Sequence, residues 1–173
     1  MPNDAASTSL YHQDRYAWAV DQAATLRAAH TANQSGPCQP SEPLKPIDWA
    51  NLAEEIEGLA QSDRRELGSR LALIIEHLAK LEFGRIAAPR AGWIRTVWRE
   101  REEVEELLRE SPSLRRELPD LLARRAGGAI EQAVSALGDF GETVEAKALL
   151  ARVIAGYQPD EVVGTWLPDT PAR

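Results

Sequence analysis

Cysteine is almost missing from this chain. Cys38 is the only one among 173 residues, so no internal disulfide can form. That usage suits a reducing compartment, and a cytoplasmic location is expected. Histidine is also scarce, with His12, His30 and His77 alone. No cysteine pair and no His-Glu-x-x-His is present, which removes the common zinc signatures. No apolar stretch is long enough to span a bilayer, so no membrane partner is expected. The first residues offer no basic segment followed by an apolar one, so no signal peptide is read. Basic charge is in deficit as well. Twenty Lys and Arg stand against 27 Asp and Glu, and the net charge of −7 disfavours generic attraction to nucleic acid or anionic lipid. Finally, nothing alternates as a strand does, which leaves helices to build the fold.

What is present is helical periodicity. Between Asp48 and Phe83 there is no proline and only Gly58 and Gly68 as glycines. Leu52, Ile56, Leu59, Leu67, Leu71, Ile74, Leu78 and Leu81 recur there at helical spacing. Asp48 is suited to cap that helix, which at about 1.5 Å per residue spans about 50 Å. The stripe steps four and four through Asp63, as a stutter does, and a kink near Gly58 or Ser62 is compatible with it. Upstream, Ser9 is suited to cap a helix to about His30, with Leu10, Ala17, Val20 and Ala24 on one face. Residues 31–47 hold Gly36, Pro37, Pro40, Pro43 and Pro46 and are read as a proline-rich loop. Residues 1–9 are read as a frayed start.

After a turn at Gly84–Gly92, a third helix is expected over Trp93–Arg109, with Ile94, Val97, Arg101, Val104 and Leu108 on one face. Ser111-Pro112 is a helix-start signal, with Ser as cap and Pro at the first helical position. Pro119 restarts the pattern, and Leu122, Ala126, Ala129, Ala133 and Leu137 make a fifth helix ending at Gly138. Thr143–Ala155 is a sixth, closed by Gly156. The expected fold class is all-α: a single-domain helical bundle of about five to six helices over residues 10–156, with one long central helix. In the tail, 157–173, Trp166 and Leu167 are expected to fold back onto the bundle.

Several linked blocks resemble the domain of unknown function 29 family. They are Tyr11-His-Gln-Asp14-Arg-Tyr16-Ala17-Trp18, Asp48-Trp49-Ala-Asn51-Leu52-Ala53-Glu54-Glu55-Ile56-Glu57 and Ser62-Asp63-Arg64-Arg65. Leu71 through His77-Leu78, Trp93 through Arg99, and Ser111-Pro112-Ser113-Leu114 continue the match, which covers roughly Leu10 to Leu137. The resemblance implies a compact, mostly bacterial helical protein with no agreed activity. The proline-rich insertion is longer than that pattern, and the segment after Gly138 departs from it.

Glu54, Glu57 and His77 are the first candidates for chemistry, since carboxylates with a histidine suggest a metal. Glu57 and His77 lie about 30 Å apart along a continuous helix and nearly opposite in azimuth, so one helix cannot offer both to one ion. Glu-x-x-His pairs on two helices, as di-iron bundles need, are missing. Glu54-x-x-Glu57 also resembles the magnesium-binding pair of the all-helical nucleotide pyrophosphatases. Its second half is poorly matched, because Glu117-x-x-Asp120 is sixty residues on and interrupted by Pro119. A metal-dependent phosphohydrolase using Glu54 and Glu57 is therefore the alternative reading. His77 flanks the apolar stripe, and a hairpin about Ala87-Ala88 would set it at the level of Trp98, packed on the indole.

Arg85, Arg90, Arg95 and Arg99 lie in a stretch without acid and interleave with Trp93 and Trp98. Anion or nucleic-acid binding through Arg90, Arg95 and Arg99 is a further alternative, opposed by the net charge. Glu102, Glu103, Glu105 and Glu106 read as a solvated face. Arg101 and Asp63 each sit inside an apolar stripe and need partners from elsewhere. The leading expectation is a non-enzymatic module for protein interaction or self-association, with no cofactor.

Overall fold

In the computed structural model the described residues are 10–34 and 48–169. The frayed start, most of the proline-rich loop and residues 170–173 lie outside them. The described residues are all-α. Helices α1 (Arg15–Gln34), α2 (Trp49–Phe83) and α3 (Arg90–Glu110) lead to a 3-10 helix (Pro112–Glu117). Helices α4 (Leu118–Asp139), α5 (Ala146–Ala155) and the short α6 (Pro159–Val163) follow. Two compact units divide the chain. The first takes the described residues up to Arg64 with Glu110–Ser113, and the second takes Arg65–Arg109 with the described residues from Leu114 onward.

Helix α2 is the long helix that the periodicity requires, 35 residues without interruption. Asp48 starts it as expected. Its carboxylate accepts from the Asn51 backbone N–H at 3.2 Å, and its carbonyl accepts from the Leu52 N–H. The buried face of its first half is different from the one expected. Ala53, Ala60 and Asp63 are buried there, while Leu52 and Leu59 stand in solvent. The true seam steps 53, 56, 60, 63, 67, which is a regular three–four alternation. Ranking by hydropathy selects leucine over alanine, but alanine permits the closer approach of two helix backbones.

The same correction applies to α1. Ala19 and Ala23 are its buried residues, and Val20 and Ala24 are exposed. A helical turn at Leu10–Gln13 stops at Asp14, which caps α1, while Ser9 lies outside the described residues. The Asp14 carboxylate accepts from the Ala17 N–H at 2.8 Å. Helix α1 also runs on to Gln34, four residues into the segment read as loop.

The second unit is packed with larger side chains. Leu67, Leu71, Ile74, Ile75, Leu78 and Leu81 of α2 are buried with Val97 and Val104 of α3 and Ile130 and Leu137 of α4. Fully burying each such side chain is worth about 1.5–3 kcal/mol. Helix α3 begins at Arg90, three residues before the expected start, because Pro89 sets the first turn. The Pro89 carbonyl accepts from the N–H groups of Gly92 and Trp93. Gly84 closes α2 at a point where only hydrogen fits. A Cβ there would lie 2.6 Å from the Lys80 carbonyl oxygen and 2.7 Å from a Leu137 methyl. Helix α5 starts at Ala146, later than expected, and runs back along α4. Its Leu149 and Val153 line a groove with Ile130 and Val134 of α4, and a second groove is bordered by Leu122 and Ala126 of α4 and by Val153 and Ile154.

Candidate functional site

In the first unit, the polar residues that broke the apolar pattern meet in one network. Asp63 accepts two hydrogen bonds from Arg15, at 3.2 Å from Nε and 3.0 Å from Nη2. It accepts a third, from the Ser111 hydroxyl at 3.4 Å. That hydroxyl, fully buried, accepts in turn from the Tyr16 N–H at 3.2 Å. Its hydroxyl is thereby engaged with α1 and α2. The capping bond at this point comes instead from Asp14, which accepts from the Ser113 N–H at 2.6 Å and the Ser113 hydroxyl at 2.9 Å. Asp14 thus satisfies the orphan N–H groups of two helices at once. Three of the sequence blocks quoted above, at Tyr11–Trp18, Ser62–Arg65 and Ser111–Leu114, are the blocks that this network ties together. Both carboxylates of the network are thus engaged, Asp14 on backbone N–H groups and Asp63 on Arg15 and Ser111.

Glu57, also in the first unit, forms an ion pair with Arg27. Glu54 is exposed one turn earlier. Among the described residues, no three His, Cys, Asp or Glu side chains gather in a way that could hold a metal ion.

In the second unit, His77 is half-buried and its Nδ1–H donates to the Leu73 carbonyl at 2.9 Å. Burial lowers its pKa, and the neighbouring cations Lys80 and Arg99 lower it further, against the Leu73 bond and Glu76. The imidazole is therefore neutral near pH 7. His77 and Arg99 are the sequence candidates that the fold sets near one another. The Arg99 guanidinium donates to Glu100, which also accepts from Arg70 at 3.1 Å. Arg70 further pairs with Glu66 and Glu103. Trp98, expected beside His77, stacks over the Arg101 guanidinium, with 5.0 Å from Cζ to the ring centroid.

The arginines that composition offered as an anion surface largely hold carbonyl groups. Arg90 donates to the carbonyls of Leu81 at 2.8 Å and Gly84 at 3.3 Å, capping the end of α2. Arg101 is buried and donates to the carbonyls of Val162, Glu161 and Trp166, at 2.9, 2.7 and 2.7 Å. Desolvation lowers its pKa. Of the expected trio Arg90, Arg95 and Arg99, Arg95 makes no side-chain bond among the described residues. A second cluster that the sequence did not signal joins Glu82 of α2 and Arg152 of α5 to Tyr157 and Glu161. Arg152 holds Glu82 and Glu161, the Tyr157 hydroxyl donates to Glu82 at 2.9 Å, and Arg152 stacks on the Tyr157 ring at 4.4 Å. Burial and Glu82 push the Tyr157 phenol well above its ordinary range, so it remains a donor.

The surface left open is apolar. Helix α5 buries none of its residues, although its sequence is Ala-Lys-Ala-Leu-Leu-Ala-Arg-Val-Ile-Ala. Leu150 is 60% exposed, Val153 48% and Ile154 78%. Between α4 and α5 run two grooves of about 440 and 410 Å³, which share Gly127 and Val153 in their walls. Sequence reasoning found α5 but could not know that α4 leaves its apolar faces uncovered. The signal available was composition: six alanine, valine and isoleucine residues and two leucines in ten positions provide no polar face.

Comparison with known proteins agrees with this architecture. The family described as Domain of unknown function DUF29 matches residues 10–148. A crystal structure of an alpha-helical protein of unknown function from Rhodospirillum rubrum is 25% identical. It superposes with a TM-score of 0.60 over 79% of this chain and 79% of that one. No curated protein matches the chain.

Proposed function

We propose that this chain, which belongs to the DUF29 family of domains of unknown function, works as a protein-interaction module whose contact surface is the apolar face of α4 and α5. The observation that carries this reading is the exposure of Leu150, Val153 and Ile154 beside two grooves, of which the one walled by Ile130 and Val134 is chiefly apolar. Large apolar side chains clustered at the surface beside a groove are what protein contact sites present. The disposition of the polar candidates supports the same reading. Glu57 is spent on Arg27, His77 on Leu73, and Arg90 and Arg101 on carbonyls. A cytoplasmic, bacterial setting fits the single cysteine and the family. Among the described residues no helix is long and apolar enough to cross a membrane.

The test is capture with two baits, the native chain and the double variant Leu150→Glu/Ile154→Glu. The native bait retains a defined polypeptide that the variant loses, while both give the same circular dichroism spectrum. Equal retention by both baits, or retention of nothing specific by either, removes the reading.

A further inference from the structure

Three observations on α4 and α5 point to one occupant for this surface, and a fourth sets the strength of the contact. First, α5 carries two adjacent stripes. Leu149 and Val153 line the groove against Ile130 and Val134 of α4. Lys147, Leu150 and Ile154, spaced three and four apart, form an outward ridge beside it. A ridge and a groove on one face are what an isologous two-fold contact requires, since each copy must supply both halves.

Second, the charges match in the same reciprocal way. The ridge begins with Lys147, whose ammonium has no partner among the described residues. The groove wall carries Glu131, whose carboxylate likewise has none. Arg152, the other cation of α5, is already held by Glu82 and Glu161.

Third, Gly127 and Gly128 sit inside α4, exposed, with nothing within 4 Å of where a Cβ would stand. Each lowers helix stability by roughly 1 kcal/mol relative to alanine. No neighbour in the chain explains them. Gly127 leaves a flat stretch in the wall shared by both grooves, against which another helix can lie closely.

Fourth, the patch is small. Ten residues of helix are about 15 Å long, and two helices side by side are about 20 Å wide, giving about 300 Å² on each copy. That total of about 600 Å² is below the roughly 1,200 Å² of a standard stable complex.

We infer that α5 and α4 form a reversible homodimer contact, in which the Lys147–Leu150–Ile154 ridge of one copy seats in the α4–α5 groove of a second, with Lys147 meeting Glu131 of that second copy. The contact rests on the interaction reading above and names its partner. It is weak, because about 600 Å² is roughly half the area of a standard stable interface. The family match ends at residue 148, so Leu149, Leu150, Val153 and Ile154 lie outside it.

The experiment is sedimentation equilibrium of the native chain, K147E and E131K, each alone and mixed in equal amounts. The native chain shows a concentration-dependent monomer–dimer equilibrium. Each variant alone dissociates roughly tenfold more readily, because like charges face each other at two symmetric contacts. The equimolar mixture regains the native association, because opposite charges return at both contacts. A native chain that stays monomeric up to millimolar concentration overturns the inference. So does an unchanged dimer in both variants, or a mixture no tighter than its components. If the chain is monomeric while the capture experiment still retains a different polypeptide through Leu150 and Ile154, the second-copy contact falls and the interaction reading stands. If neither is seen, both fall.

Discussion

At the scale of the residue, the side chains that break the hydrophobic pattern are the ones that fix local structure. Asp63 and Arg101 both interrupt apolar stripes, and each is buried because it satisfies groups that water would otherwise have to reach. Asp63 takes Arg15 and Ser111, and Arg101 takes three carbonyls. Their need for distant partners was legible in the sequence. Which partners was not, because those partners lie 48 to 65 residues away and no local rule encodes that distance. His77 yields a prediction with a definite sign. Its folded-state pKa is lowered, so the unfolded chain binds the proton more readily. Its contribution is complete above the unfolded value of about 6.5 and is lost as pH falls below it. The thermal midpoint of the native chain therefore drops between pH 7.5 and 5.5 by more than that of His77→Gln. Equal drops would show that His77 is as easily protonated folded as unfolded. Glycine gives a second prediction of opposite signs. Gly84→Ala forces a methyl against the Lys80 carbonyl and Leu137, and costs about 2 kcal/mol in chemical denaturation. Gly127→Ala and Gly128→Ala meet open space inside a helix and each gain about 0.5–1 kcal/mol in the monomer.

At the scale of the element, helix α2 was readable and its inner face was only half so. From Leu67 to Leu81 every residue of the expected stripe is buried, because leucine and isoleucine dominate both hydropathy and volume there. At Leu52 and Leu59 the same rule selects the wrong residues, since the seam there runs through Ala53, Ile56 and Ala60. The ion pairs Arg15–Asp63 and Arg27–Glu57 bind α1 to that part of α2, and small residues suit a seam held by such ties. Proline and glycine marked the helix ends to within a few residues, at Pro89, Gly84 and Gly156. The short α6 was missed because five residues carry no periodic signal. Its attachment is legible only in the structure, where Arg101 gathers its last carbonyls and that of Trp166. Arg101→Met keeps the packing volume but removes those donors. Amide exchange at residues 159–166 is then expected to quicken about tenfold or more, with helix α3 unaffected. Unchanged exchange would assign the tail's anchorage to Trp166 and Tyr157 instead.

At the scale of the whole molecule, the all-α class and the family followed from the sequence, and the candidate site did not. Glu54, Glu57, His77, Arg90, Arg95 and Arg99 stood out because they are the residue types that perform chemistry. The structure gives most of them backbone or ion-pair duties. The surface argued for here consists of leucine, valine and isoleucine, which sequence reading assigns to a core by default. Only the exposure of α5 distinguishes a core helix from one waiting for a partner. Hydrogen–deuterium exchange of the native chain across a hundredfold range of concentration probes that distinction directly. Slower exchange at residues 146–155 and 127–134 as concentration rises, with residues 49–64 unchanged, is the expected result. Exchange in α5 that is fast and identical at every concentration would contradict the account.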